Sequence, residues 1–421
     1  MKQFFLWATV VVLALTQGSC VSSSGRVARF DVKSFGALGD GVHKDTAAFQ
    51  NALDACAAAG GGTVVVPPGR YLIGSIVLGP RTTLELDARA TLVGSPDIDD
   101  YPLQRVRFEG EFVEGHRALV SANDADRVGI IGRGAIQGPP LALAELRNPR
   151  GPLLIEFSNC THVVLDGFST SYQRLWSIHL LFCDQATVRN LTVVSFEANG
   201  DGLDVDSCRH VLIEHCDIDT GDDAISLKSG RGMEAVRLAR PAEEVVIRDC
   251  RLVSKQFAAL GIGTELSAGI RNVRVEDCVL SGRQNGIVFK SRDGRGGVIE
   301  NFLGENLVIS NSPTFLAINL LNKGIPATEP VTGDTTRWTL VKNACFRHIR
   351  VHHVRDLVLA DKIPTERPLE GLTLEDITGD CERGLTLANI NQVTLKGIDV
   401  TGWHGAFLSE TNVQGLSRMD P

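Results

Sequence analysis

Several common chemistries are missing from these 421 residues. Of ten cysteines, no two stand in the Cys-x-x-Cys spacing of a zinc site. Gly60-Gly61-Gly62 trails a helix-like stretch and has no Gly-Lys-Ser/Thr after it, so it is not a phosphate loop. The ligand spacing of an EF-hand calcium loop is absent. Basic residues number 42 against 50 acidic ones, and a net charge of −8 leaves no dominant basic face for nucleic acid. An acidic substrate stays possible, because a local basic patch can hold one. Tyrosine occurs three times, methionine three times and tryptophan four.

What is abundant is glycine, at 43 residues, together with 43% apolar residues, enough for a sizeable core rich in tight turns. The N-terminus reads as an export signal over residues 1–19: Lys2, the twelve-residue run "FFLWATVVVLAL", then small residues in "TQGSC". Twelve residues are too few to span a bilayer. Cys20, followed by "VSSS", resembles the lipidation site of a bacterial lipoprotein, although Gln17 sits where an aliphatic residue is usual.

From about residue 150 one phrase recurs, as in "THVVLDGF", "RHVLIEHCDI", "EEVVIRDCRL" and "IRNVRVEDCVL". Val164, Val188, Ile213, Ile247 and Val275 stand 24, 25, 34 and 28 residues apart. Short strands and turns at that period, without a helical period, define a parallel β-helix; a propeller blade needs about 40 residues. Equivalent residues then stack about 4.8 Å apart. Cys216, Cys250 and Cys278 should form one column and Cys160, Cys183 and Cys208 another, as packed thiols. "DTAAFQNALDACAAAGGG" predicts an Asp45-started helix that caps the N-terminal end. The expected architecture is all-β, one parallel β-helix domain over residues 26–415 with a long polar loop after residue 323.

Carboxylates gather in "EANGDGLDVDSCRHV" and again in "DTGDDAISLKSG". Asp201 and Asp222 are 21 residues apart, close to one short coil, so they should share a side with Asp223. Glycoside hydrolysis needs such a set: one protonated carboxyl for the leaving oxygen and another carboxylate for water. Crowding and burial would separate their proton affinities. Asp204, Asp206, Asp217 and Asp219 read as turn residues. A calcium site is the rival reading of clustered carboxylates.

The two acidic phrases, with "FGALGDG", "RPAEEVVIRDC", "GTELSAGIRNV" and "NGIVFKSRDGRGGVIEN", resemble the polygalacturonase family, glycoside hydrolase family 28, over most of residues 30 to 400. The resemblance implies a right-handed parallel β-helix and inverting hydrolysis of galacturonate-containing pectic poly- or oligosaccharides, with no cofactor, metal or nucleic-acid partner. It makes Asp222 the general acid, has Asp201 and Asp223 activate water, and lets Asn199 orient the cluster. Lys290 would face a substrate carboxylate. Glu265, Lys228, Arg292 and His179 are further candidates for substrate binding, with Arg231 and Arg295 also near coil turns. Three departures stand out. Ile262 occupies the middle of "GIG" where many members have Gly-His-Gly, Val288 replaces an arginine, and Asn322 replaces a tyrosine. They direct the expectation toward chain ends or a modified pectin such as rhamnogalacturonan. A calcium-dependent pectate lyase and a non-catalytic pectin-binding protein are the alternatives. A monomer, exported to the periplasm or outer membrane or secreted, completes the expectation.

Overall fold

The computed structural model describes residues 27–142, 146, 148–321 and 338–419. The export signal, Cys20, Asn322 and most of the loop after residue 323 lie outside them. Strands run in one parallel stack from Arg29–Asp31 to Leu408–Met419, winding as a right-handed β-helix. A typical coil has three strands, Leu203–Asp206, Arg209–Glu214 and Asp217–Thr220, each paired in parallel with its counterpart in the next coil. Corners between strands are built by residues in the left-handed region, among them Asn272, Asn301 and Asn343, a conformation in which a short amide can hydrogen-bond locally. These three also form a ladder, each amide donating to the one before it at 2.9 and 3.0 Å.

The interior is a column of apolar side chains. Val188, Ile213, Ile247 and Val275 pair in succession as their spacing predicts. Their partner in the preceding coil is Leu165, not Val164. Strand side chains alternate between faces, so that one-residue slip matters: Leu165 is buried, whereas Val164 is 37% exposed. Both cysteine columns form and are buried as free thiols, with the Cys183 amide donating to the Cys208 sulfur.

The capping helix spans Thr46–Ala58 and packs Phe49, Ala52, Leu53 and Cys56 into the core. Asp45 precedes it, but its carboxylate accepts from the amides of Leu38 and Gly39 instead of capping the first turn. An antiparallel hairpin, Leu103–Phe108 and Glu111–His116, leaves the stack and was not foreseen. It lies over one outer face of the β-helix, and that face carries the functional candidates.

Candidate active site

The face is a parallel sheet whose strands include Ile155–Ser158, Ile178–Leu181, Leu203–Asp206, Ile225–Lys228, Ala258–Ile262 and Asn285–Lys290. Outward-pointing positions stack across it, aligning Glu156, His179, Asp204 and Ser226 in one row and Asp206 with Lys228 in the next. Asp201, Asp222 and Asp223 sit at the turns that lead into these strands. Each offers a carboxylate oxygen within 4.8 Å of the others'. They line a cleft of about 470 Å³ with Asn199, Lys228, Glu265, Lys290, Arg231 and Arg295.

Local backbone geometry aims the trio. The Asn199 amide donates to Asp222 Oδ2 at 3.0 Å, and the Asp223 amide to Asp222 Oδ1 at 2.9 Å. Asn199 thus orients the cluster through its main chain, from a left-handed conformation at φ 62°. Asp223 receives Lys290 Nζ at 2.5 Å and the Ala258 amide at 3.3 Å. Gly261 leaves room for the Asp223 carboxylate, which an added Cβ would strike.

Electrostatics raise the proton affinity of two of the trio. Burial, then the charge of Asp223, pushes the Asp222 carboxyl above its ordinary range, against the pull of Lys290. Burial and the neighbouring Asp204 push Asp201 well up, opposed by Lys228. Like charges this close cannot all ionise, so the cluster retains a proton, for which Asp201 and Asp222 both have raised affinity. Asp222 is also the partly exposed member, reachable from the cleft. The positive charge that balances the trio comes from ammonium groups, Lys290 on Asp223 and Lys228 at 3.7 Å from Asp201. A cation held by these three oxygens would have to compete with both.

The structure corrects several readings of the sequence. Asp204 and Asp206 are strand residues, 0% and 1% exposed, not turn residues. Asp217 and Asp219 are also in a strand, paired with Arg251 and Lys255 on the surface. His179 cannot meet substrate: it is fully buried, with Nδ1 3.1 Å from Glu156 and Nε2 3.9 Å from Asp206. Burial opposes its charging, yet the two carboxylates raise its pKa to about 9. Lys228 reaches the cleft wall but is committed to Asp204 at 2.9 Å and lies 3.8 Å beneath the Trp176 ring. Arg292 is buried outside the cleft lining. Glu265 does line the cleft; burial works against its charge, but Lys228 and Arg295 hold its pKa low. Ile262 points into the core, so a side chain there is not aimed at the cleft. Val288 packs with Ala258 and Ala317 in a small apolar cluster apart from the core.

Sequence reasoning missed Glu109, Trp176 and Phe257, which also line the cleft. The signal for the first was present. "VRFEGEFVEG" alternates apolar residues about a Glu-Gly pair, the pattern of a two-residue hairpin turn, and both residues have positive φ. The hairpin packs along the cleft. Arg107 Nε meets Asp206 at 2.9 Å, Phe108 packs on Trp176, and the Gly110 carbonyl accepts from the Arg231 amide.

A parallel β-helix whose outer groove brings three carboxylates and two lysines together is the scaffold of a polysaccharide-directed glycoside hydrolase. Comparison makes the assignment specific. Residues 56–332 match the model of Glycosyl hydrolases family 28, and the chain belongs to that family. A Vitis vinifera protein named "Probable polygalacturonase" is 26% identical across 94% of this chain and 84% of its own length. The crystal structure of an exopolygalacturonase from Thermotoga maritima superposes with a TM-score of 0.72 at 25% identity, covering 93% of this chain and 92% of that one. The family 28 exopolygalacturonase of Yersinia enterocolitica shares the fold, with a TM-score of 0.81 at 19% identity over 93% of this chain and 78% of its own.

Proposed function

We propose that the protein hydrolyses glycosidic bonds of galacturonate-containing pectic chains and works from a chain end. The observation that carries the chemistry is the crowded carboxylate trio with Asp222 as its most exposed member. Asp222, with raised proton affinity and access to the cleft, protonates the leaving oxygen. Asp223, ion-paired to Lys290, and Asp201 share and activate the attacking water. Two water-holding carboxylates suit single displacement with inversion, whereas double displacement needs one nucleophile. Their oxygens approach more closely than the roughly 6.5–9.5 Å usual between the carboxyl groups of inverting enzymes, so the anomer first released is the direct test. Lys290 and Arg231 line the cleft where an acidic sugar would sit, each also paired to a carboxylate, Asp223 and Glu111.

The hairpin supports the end-acting mode. With Gly110 against Arg231 and Glu265, and Arg107 over Asp206, it walls the cleft along the strand ends. A wall of this kind restricts the room for a through-running polymer, which is why we read the substrate as a chain end. The relatives named as exopolygalacturonases agree with this reading. Export through the N-terminal signal, with lipidation of Cys20, is part of the proposal, and radiolabelled palmitate incorporation that vanishes in Cys20→Ala tests it.

The central experiment is Asp222→Asn. Hydrolysis of oligogalacturonates should fall by at least about a thousandfold, a loss within the range acid–base groups contribute, while substrate still binds. Wild-type digests should show the inverted anomer, new reducing ends and single sugars released first. An unsaturated, ultraviolet-absorbing product would instead establish a lyase.

A further inference from the structure

Asp204 and Asp206 lie on the strand that follows Asp201 and point out of the barrel, yet neither meets solvent. Arg107 accounts for Asp206. Asp204 is paired differently. Lys228 Nζ lies 2.9 Å from it and 3.7 Å from Asp201, so one ammonium bridges the two carboxylates. Lys228 is itself 5% exposed, and the Trp176 ring covers its ammonium. Trp176 is held in turn by Phe108 of the hairpin and by His179 beneath it. A buried carboxylate and ammonium are costly to keep, and substrate contact does not explain a lysine whose charge is already engaged.

Building on the catalytic reading above, we propose that Lys228 is the positioning residue of Asp201: its ammonium aims that carboxylate at the attacking water and favours the ionised form against burial, with Asp204 as the counter-ion that fixes the ammonium.

The surroundings make the proposal testable by sign. Asp201 faces Asp204 on the strand it leads into, Lys228 on the next, Asp222 and Asp223 at the neighbouring turn, and the charge of Arg150 from the preceding loop. Glu265 faces Lys228 from the other wall, and His179 faces Asp204 from the strand before. Burial raises the Asp201 pKa most, Asp204 raises it further, and Lys228 lowers it. Asp204 itself sits at about 6, lifted by burial against Lys228. Removing Lys228 should therefore move the acid limb of kcat/KM to higher pH, and removing the Asp204 charge should move it to lower pH. A residue that only supported the fold would shift neither limb, or both alike.

The experiment compares pH profiles of hydrolysis for wild type, Lys228→Met, Lys228→Arg and Asp204→Asn, with Asp222→Asn as the inactive control. Lys228→Met should lose about a hundredfold in kcat, within the acid–base range, with KM changed less than about threefold. Its acid limb should rise by about one pH unit or more, and Lys228→Arg should recover most of the rate. Asp204→Asn should move the limb downward. If Lys228→Met fails to fold, the charge-balanced pair Lys228→Met/Asp204→Asn replaces it, and its limb must lie above that of Asp204→Asn. Limbs that stay put or move together, or a loss expressed in KM alone, overturn this inference and leave the catalytic reading intact. An active Asp222→Asn enzyme overturns both.

Discussion

Replacing Arg107 by Met should unlatch the hairpin while leaving the β-helix standing. Arg107 and Asp206 are each 1% exposed and meet at 2.9 Å, 99 positions apart in the chain. The guanidinium also lies 5.2 Å from the ring centres of Phe112 and Phe182. Removing one partner of a buried ion pair costs about 3–5 kcal/mol, because the other charge stays buried. The cation–π contacts fall within that loss and are not added to it. At about 1.4 kcal/mol per tenfold, the open-hairpin population rises by roughly two to four orders of magnitude. If the whole stack felt the loss, an unfolding entropy of about 2.1 cal/mol/K per residue would lower the melting temperature by about 4–6 °C. A hairpin outside the stack should open alone, so the shift should be smaller than that. Hydrogen exchange read by mass spectrometry on residues 103–116 should show the opening directly, and oligosaccharides should join single sugars among early products. Neutralising the stranded partner in Arg107→Met/Asp206→Asn should recover part of the protection. Unchanged exchange in 103–116 together with an unchanged product series would refute the latch.

Two further outcomes follow from the same geometry. Gly261→Ala puts a methyl group against the Asp223 carboxylate; it should cut kcat by about tenfold to a hundredfold through misplacement, with a normal circular dichroism spectrum and melting curve. His179 has a pKa of about 9 in the fold, above the ordinary value of about 6.5. Protonation is thus favoured by the folded state, so its stabilisation is complete below about pH 6.5 and is lost as pH rises through 9. The shift corresponds to about 3 kcal/mol. Urea midpoints at pH 6.5 and pH 9.5 should differ more for wild type than for His179→Gln, and equal differences would show that His179 is not charged in the fold.

Much of the architecture was legible in the chain. Strand length, the 24- to 34-residue spacing of apolar positions and the polar corner residues are local properties that any coil repeats, so the β-helix and its thiol columns could be read directly. So could the trio: Asp201 and Asp222 stand about one coil apart, and stacking by one coil brings them together. The Val164 error shows the limit of that method, since a strand's alternation is plain while its phase against the previous coil depends on a turn length that spacing alone does not resolve.

The roles of Asp204, Asp206, His179 and Lys228 depended on what lies over them. Each is polar on an outward face, which in a bare β-helix means solvent, and the sequence accordingly suggested turn residues or substrate ligands. The hairpin covers that face from nearly one hundred residues earlier in the chain and removes water from it. Those charges then had to find each other, Arg107 with Asp206 and Lys228 with Asp204. The sequence by itself determined the coil, the column and the catalytic carboxylates, because their order repeats along the chain. Only the tertiary structure decided which charges are buried and what walls the cleft, because burial is set by segments that approach through space.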